Sequence, residues 1–146
     1  MGEVKAVCVS RRKGTPKEAV DSVTVIRDFG IEGDAHAGKW HRQVSLLSYE
    51  AIENFKKNGI EIRDGAFGEN IIVSGYDLKR YIPGTVIRIG DVVLELTQIG
   101  KECHSHCVIY KTVGDCIMPR EGVFAAVLNG GVIKPGDKVE IVSSET

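Results

Sequence analysis

The sequence has few cysteines, and they do not follow the spacing of a disulfide scaffold. Four cysteines stand at positions 8, 103, 107 and 116 of a chain of 146 residues. Small secreted domains that depend on disulfides are much richer in cysteine. A chain of this length buries roughly two thirds of its unfolded surface, so it can fold without cross-links. We therefore expect a cytoplasmic protein whose thiols are reduced and available for chemistry.

Long apolar runs and an excess of one charge are also absent. No run approaches the ~20 apolar residues that cross a bilayer, and no apolar segment of a secretion signal follows Met1. The formal net charge is -1, so the composition gives no general nucleic-acid footprint. We expect neither a membrane nor a nucleic acid as partner. Because no linker or change of composition divides the chain, we expect a single domain over residues 1–146.

Short alternating segments separated by glycine and proline turns make up most of the chain. Alternation of this kind is typical of β-strands. The predicted strands are Gly2–Ser10, Asp21–Asp28, Ile71–Ser74, Thr85–Ile89, Val92–Thr97, Val123–Leu128 and Lys138–Val142. Turn residues such as Pro83-Gly84 and Asn129-Gly-Gly131 punctuate them. Seven or so short strands predict a mainly antiparallel β-barrel.

Helical patterns are few. One main helix is predicted from Ser48 to Asn58, where apolar positions share a face and Asn58-Gly59 provides a stop. Thr15-Pro-Lys-Glu18 is typical of a capping box, which predicts one short helical turn behind it. The expected architecture is thus a barrel with one main helix and short helical turns.

Chemistry is concentrated between Lys101 and Cys107, where two thiols, two imidazoles and one ammonium occur within seven residues. A thiol becomes a better nucleophile and metal ligand when a nearby cation lowers its pKa. In an extended segment Lys101 and Cys103 share a face. In a helical turn Cys103, His106 and Cys107 would align instead. The sequence does not choose between these geometries, and both make Cys103 the leading candidate for the functional residue.

The same cluster supports an alternative hypothesis without any organic cofactor. Cysteine and histidine are the usual zinc ligands, but structural zinc sites generally carry two closely spaced cysteine pairs, whereas this chain has one, Cys103 and Cys107. A second thiol can also resolve an oxidised or persulfidated Cys103. A zinc-binding or thiol-redox module would use Cys103, His104, His106 and Cys107. A blander alternative is a barrel that only docks a partner enzyme.

A glycine-rich loop from Phe29 to Trp40 supplies further candidates. Gly33-x-x-x-x-Gly38-Lys39 approaches a phosphate-binding loop, but Trp40 replaces the hydroxyl residue that would ligate magnesium, which argues against nucleotide triphosphate binding. His36 lies between the glycines, and the anionic part of a ligand could be bound by positively charged side chains from Lys39, His41, Arg42 and Arg12.

Two polar residues have both a structural and a binding interpretation. Ser48 could cap the main helix, and Asn70 could hold its own turn. Both are nevertheless candidate ligand-binding residues.

An ordered set of short motifs resembles the MOSC domain, the family named after the C-terminal domain of molybdenum cofactor sulfurase. The motifs are Gly30-Ile-Glu-Gly33-Asp34-Ala-His36-Ala-Gly38, Gly68-Glu69-Asn70-Ile71, Gly84, Ile89-Gly90-Asp91, Cys103, Arg120-Glu-Gly122-Val-Phe124 and Gly136-Asp137. The resemblance covers nearly the whole chain in the family's order. It implies a mostly β-barrel fold and a free-standing, bacterial-type member.

The resemblance also implies a function. Family members bind a molybdopterin-type cofactor, hand sulfur to it, or use it to reduce N-hydroxylated compounds. The family cysteine, a sulfur carrier or molybdenum ligand, maps onto Cys103, and the family asparagine maps onto Asn70. Cys107 has no such backing and is at most a second metal ligand. Relatives that reduce N-hydroxylated compounds tend to carry Arg-Pro where this chain has Gly68-Glu69.

We therefore expect a molybdenum-cofactor-binding or sulfur-carrier protein with Cys103 as thiolate or persulfide. The expected cofactor-binding residues are Lys101, His36, Lys39, Arg42, Asn70 and Ser48. The chain has neither the N-terminal β-domain of the larger reductases nor a desulfurase domain with its pyridoxal-phosphate lysine, so pyridoxal phosphate is not expected. A sulfur or electron donor would act in trans, with molybdoenzymes as further partners.

Overall fold

A computed structural model describes residues 2–12, 17–57, 59, 61–100 and 121–143. Within these ranges the chain forms β-strands, one α-helix and one 3₁₀ turn at Leu78–Arg80. The elements are β1 Gly2–Val9, β2 Glu18–Val20, β3 Val23–Ile26, β4 Gly30–Ile31, β5 Val44–Ser48, α1 Tyr49–Lys56, β6 Ile71–Ser74, β7 Val86–Ile89, β8 Val92–Ile99, β9 Val123–Asn129, β10 Gly131–Ile133 and β11 Lys138–Ser143.

Seven of these strands close into a barrel in the order β1-β11-β7-β8-β9-β5-β6, with β6 returning to β1. All neighbours in the ring are antiparallel except β5 and β6. A parallel pair needs a crossover connection, and α1 lies in the one that joins these two strands. β2 extends the edge of β1, while β10, β3 and β4 form a separate three-stranded sheet. The predicted mainly antiparallel β-barrel with one main helix is confirmed.

Alternating side chains of the barrel strands belong to two apolar clusters. On β6, Ile71 and Val73 join the larger cluster inside the ring, whereas Ile72 faces the second cluster on the outer surface. α1 covers that outer cluster with Ile52 and Phe55. The described chain has no helix long and apolar enough to cross a membrane.

The predicted helical turn after Thr15-Pro-Lys-Glu18 is wrong. Residues 13–16 lie outside the described ranges, and Glu18 opens β2, pairing with Val9 of β1. Residues 18–20 form backbone hydrogen bonds with β1, and this tertiary pairing overrides their local preference for a helix. The main helix, by contrast, forms close to its predicted bounds.

Besides β2, three strands were not predicted. β5 is an unbroken buried run, and periodicity cannot distinguish such a run from the approach to the helix that follows it. β4 and β10 each begin with glycine and lie in segments predicted to be loop or turn. Their pairing with β3 supplies the hydrogen bonds that these short segments lack by themselves.

Candidate functional site

The segment that carries Cys103 starts and finishes at one closed rung of the barrel. Ile99 of β8 pairs with Val123 of β9, and the Gly100 N–H donates to the Gly122 carbonyl at 2.7 Å. Residues 101–120 lie between these ends and outside the described residues. They include the candidate residues Lys101, Cys103 and Cys107, and also His104, His106 and Cys116. The structure therefore describes the rim around this segment rather than the thiols themselves.

Arg42 is held against that rim by side chains from two strands. Its Nε donates to the Gln98 Oε1 at 3.1 Å, and its guanidinium carbon lies 5.2 Å from the centre of the Phe124 ring and 5.9 Å from that of Trp40. The terminal guanidinium nitrogens make no hydrogen bond to a described residue. Because an Arg fork matches the oxygens of phosphate or carboxylate, this fixed guanidinium suits an anionic ligand.

His41 completes what we call the rim cluster, which consists of His41, Arg42 and Gln98. The His41 Nε2 lies 2.8 Å from the same Gln98 oxygen, and the Thr97 hydroxyl donates to the His41 carbonyl. The Gln98 amide nitrogen donates to the Gly100 carbonyl at 2.8 Å. Gln98 therefore links the Arg42 guanidinium to Gly100, the residue that follows the end of β8.

A second polar group joins Lys17 to Asp34 and His36 in the middle of the glycine loop; Lys17 and Asp34 are buried, and His36 is half-buried. The Lys17 Nζ is 2.8 Å from the Asp34 Oδ1 and 3.0 Å from the His36 Nδ1. The side chains of Lys17 and Asp34 are fully buried. The Trp40 indole N–H donates to the His36 carbonyl at 2.8 Å, which connects this cluster to the aromatic side chain beside Arg42.

Asn70 is completely buried, and its side chain is occupied by protein partners. Its Oδ1 accepts from the Ser45 N–H at 2.9 Å and from the Ser45 hydroxyl at 3.1 Å, while its Nδ2 donates to the Cys8 carbonyl at 3.1 Å. Ser45 is the register partner of Phe124, which in turn pairs with Gln98. Asn70 therefore joins β1 to β5 and lies in the same lateral row as the rim cluster.

Glu69, the residue before Asn70, is a buried carboxyl that orders its own loop. Its oxygens accept from the Gly65 N–H at 2.9 Å and the Phe67 N–H at 3.1 Å. Burial raises the pKa of Glu69 to about 7, although these two donors oppose the shift. Burial also raises the pKa of the Cys8 thiol far above its ordinary value, and the nearby Glu69 charge adds to this. Cys8 is thus an inert core thiol.

The remaining candidates lie in two different places. Lys39 is exposed on the glycine loop and forms no ion pair with a described residue. Ser48 is buried at the opposite end of β5 from Arg42, where its hydroxyl donates to the Tyr76 carbonyl at 2.9 Å and accepts from the Leu78 N–H at 3.1 Å. Ser48 occupies the N-cap position of α1, but its side chain makes no capping hydrogen bond.

The structure therefore unites some candidates and separates others. Arg42 meets the end of β8, and His36 meets Lys17, whereas Ser48 belongs to another part of the barrel. The sequence reasoning did not find Lys17, Gln98 or the role of Glu69. A polar Gln98 at the end of an alternating strand was the only available signal, and nothing local marked Lys17 as buried.

No group of three histidine, cysteine or acidic side chains placed to hold a metal ion occurs among the described residues. The described residues form a closed barrel whose rim holds the Arg42 guanidinium, and the glycine loop beside it is fixed by the buried Lys17–Asp34 ion pair.

Residues 33–140 match the MOSC domain family, and the chain belongs to that family. The family is associated with molybdenum-cofactor binding and with sulfuration-related proteins.

Solved structures of similar fold are the YuaD protein of Bacillus subtilis and YiiM of Geobacillus stearothermophilus. YuaD is 20% identical with a TM-score of 0.78, over 95% of this chain and 94% of that one. The Geobacillus YiiM is also 20% identical with a TM-score of 0.75, over 98% of this chain and 76% of that one. Escherichia coli YiiM is 18% identical with a TM-score of 0.68, over 97% and 70%. No protein of curated function matches the sequence significantly.

Proposed function

We propose that this protein binds a molybdopterin-type cofactor at the rim cluster and carries sulfur on Cys103. The observation that supports this most directly is the hydrogen bond from Arg42 to Gln98, because it fixes a cation where β8 ends. Membership of the MOSC family supplies the class of ligand. The described geometry supplies a place where its anionic part could bind.

The residues present suit such a ligand. Cys103 follows Gly100 by three positions, and three residues of extended chain span at most about 11 Å. In this proposal the Cys103 thiol and the Arg42 guanidinium act on the same ligand. A thiolate is a soft ligand suited to molybdenum, and an Arg fork suits a phosphate. Lys39 and Lys101 add positive charge on the segments to either side.

Each residue has a distinct role in this proposal. Arg42 binds the phosphate and orients the ligand, while Gln98 prevents the guanidinium from rotating away. Cys103 binds the molybdenum as thiolate, or its thiolate attacks the outer sulfur of a persulfide on a donor protein in trans, so that Cys103 keeps this sulfur as a persulfide and the donor cysteine leaves as a thiolate. When bound, the cofactor would supply the molybdenum centre. Reduction of N-hydroxylated compounds is a second use of the same site and would need an electron donor in trans. We propose no role for pyridoxal phosphate.

The first test measures cofactor content. The protein is produced in a host that makes the cofactor, and molybdenum and releasable pterin are determined per chain. Arg42→Gln should lower pterin content about 10- to 100-fold, since a charge-assisted hydrogen bond contributes about 1.5–3 kcal/mol. Arg88→Gln is the matched control, because Arg88 is an exposed arginine of β7 paired with Glu140. Equal pterin content in both variants would overturn the role of Arg42.

The second test concerns the sulfur atom. Native mass spectrometry should show a mass increase of one sulfur on Cys103 after incubation with a sulfur donor, and Cys103→Ser should abolish it. Cys116→Ser, a cysteine outside the family motifs, is the control and should keep the modification. Undiminished cofactor binding and sulfur transfer in Cys103→Ser would refute the proposal. Stoichiometric zinc from a cofactor-free host, lost in Cys107→Ser, would replace it with the zinc hypothesis.

A further inference from the structure

His41 is the member of the rim cluster to which the proposed function assigns no role. Its side chain is exposed, and its Nε2 lies 2.8 Å from the Gln98 Oε1. The Arg42 Nε donates to the same oxygen at 3.1 Å. Because both nitrogens contact one oxygen, they lie at most about 6 Å apart, which is within the screening length of physiological salt. A charge on the imidazole would therefore act on the same ligand as the guanidinium.

The orientation of the Gln98 amide determines which ring nitrogen of His41 carries a proton. An arginine Nε is only a donor, and a backbone carbonyl is only an acceptor. The amide must therefore direct its oxygen to Arg42 and its nitrogen to the Gly100 carbonyl, which it does at 3.1 and 2.8 Å. The second lone pair of that oxygen accepts from the His41 Nε2. Nε2 is consequently protonated in both charge states of the ring.

Nδ1 is then the atom at which the His41 ring gains or loses its second proton. Within the described part of the chain, Nδ1 makes no hydrogen bond. The Trp40 ring packs edge-on against the imidazole, with 5.7 Å between the ring centres, and the Thr97 hydroxyl donates to the His41 carbonyl. These contacts hold the ring through Nε2, one edge and the backbone, and they leave Nδ1 for a ligand.

The surroundings of His41 are positive. The side chains in contact with the imidazole are Gln98 from β8 and Trp40 from its own loop, and neither carries a charge. The charged groups nearby are Arg42 and the exposed Lys39. Among the described residues, no acidic side chain forms an ion pair with His41 or Arg42. Protonation of Nδ1 therefore adds a second positive charge to the rim instead of neutralising an acid.

We infer that His41 is a second anion-binding residue of the rim cluster, and that protonation of its Nδ1 is coupled to the binding of a doubly charged oxyanion such as a phosphate group. Arg42 supplies a permanent charge, because a guanidinium is always protonated in proteins. His41 supplies a charge that depends on pH, because histidine titrates between about pH 5 and 8. The identity of the physiological oxyanion as the cofactor's phosphate rests on the function proposed above.

Sulfate is the probe for this inference, because it keeps two negative charges across the pH range in which a phosphate group itself titrates. The full chain from a cofactor-free host is titrated with sulfate by calorimetry at low ionic strength. The wild type should bind sulfate about tenfold more tightly at about pH 5.5 than at about pH 8, the effect of one charge about 6 Å from a dianion in water. Near pH 7, two buffers with different ionisation enthalpies should reveal proton uptake on binding. Equal affinities at the two pH values, or no sulfate binding, would overturn the inference.

His41→Gln attributes the effect to this histidine, because glutamine keeps a donor for the Gln98 oxygen but cannot take up a proton. The variant should match the wild type at pH 8 and should lose both the tighter binding at pH 5.5 and the proton uptake. Arg42→Gln should weaken binding at both pH values. Lys134→Gln removes an exposed positive charge beyond β10 and should change neither result. Unaltered pH dependence in His41→Gln would refute the role of His41, because the other three histidines would then be responsible.

A spectrum of the wild type keeps the inference testable even if the variant does not fold. Long-range ¹⁵N–¹H correlations at pH 8, where a free imidazole is neutral, should show a protonated Nε2 and an unprotonated Nδ1 at His41, assigned through its backbone. A protonated Nδ1 under these conditions would contradict the hydrogen bond on which the inference depends.

Pterin content separates this inference from the proposed function. Sulfate binding with proton uptake through His41, but no pterin in any preparation from a host that makes the cofactor, would refute the proposed function and support the inference. Pterin content that depends on Arg42, together with sulfate binding that does not depend on pH, would refute the inference and support the proposed function.

Discussion

Glu69 should make the protein less stable as pH rises from weakly acidic to neutral, which is the reverse of ordinary acid denaturation. Burial raises the pKa of this carboxyl from 4.5 in the unfolded chain to about 7. The folded state therefore binds the proton more tightly than the unfolded state. The resulting stabilisation is fully present below pH 4.5 and is lost as pH rises through about 7. Each pKa unit corresponds to about 1.4 kcal/mol, so the contribution is about 3 kcal/mol.

The measurement compares urea unfolding of the wild type and Glu69→Gln between pH 4.5 and 8. The difference in unfolding free energy between the two proteins should change by about 3 kcal/mol over this range, because only the wild type titrates at position 69. Comparing pH profiles removes the constant cost of losing an acceptor for the Gly65 or Phe67 N–H. Glu61→Gln, an exposed acid of the same loop, serves as control. Parallel profiles for wild type and Glu69→Gln would refute the reasoning.

Other perturbations test the packing around the site through changes in unfolding free energy. Asn70→Ala should cost about 3 kcal/mol, since it leaves buried backbone groups on β5 and β1 without their partners; a cost below about 1 kcal/mol would contradict this. Gly65→Ala should cost several times more than Gly33→Ala. Both positions have positive φ, but a Cβ at Gly65 would lie 2.2 Å from the Lys17 carbonyl oxygen, whereas nothing lies within 4 Å at Gly33; equal costs would refute the close approach. Leu94→Ala in the barrel interior should cost about 2–5 kcal/mol, and retained native stability would place Leu94 outside the core.

Much of the fold could be predicted because the alternation of buried and exposed residues in a barrel strand is visible within the strand's own sequence. Val92, Leu94 and Leu96 alternate with partly exposed residues, and glycine turns separate the strands, so a sheet with one face inside follows. β5 could not be recognised because both of its faces are covered, one by the interior and one by α1. A strand buried on both faces has no alternation to detect.

The site was less predictable because its contacts join residues distant in sequence. The positive charge of Arg42 was visible, but its contact with Gln98 spans 56 positions, and no local pattern encodes it. Lys17 was likewise expected only within a short turn, yet folding buries it against Asp34, 17 positions away. Asn70 was selected through family resemblance, and its three hydrogen bonds to β5 and β1 were not foreseeable from a turn.

The rung at Gly100 and Gly122 has a practical consequence for engineering. Because Ile99 pairs with Val123 and the Gly100 N–H donates to the Gly122 carbonyl, the ladder of β8 and β9 is closed before residue 101, and these two glycines mark where a replacement segment would be joined. Replacing the intervening stretch with a tight turn should yield a folded barrel that lacks Cys103, Cys107 and Cys116. Other sequences of similar length could then be inserted between the same two glycines, next to the Arg42 guanidinium.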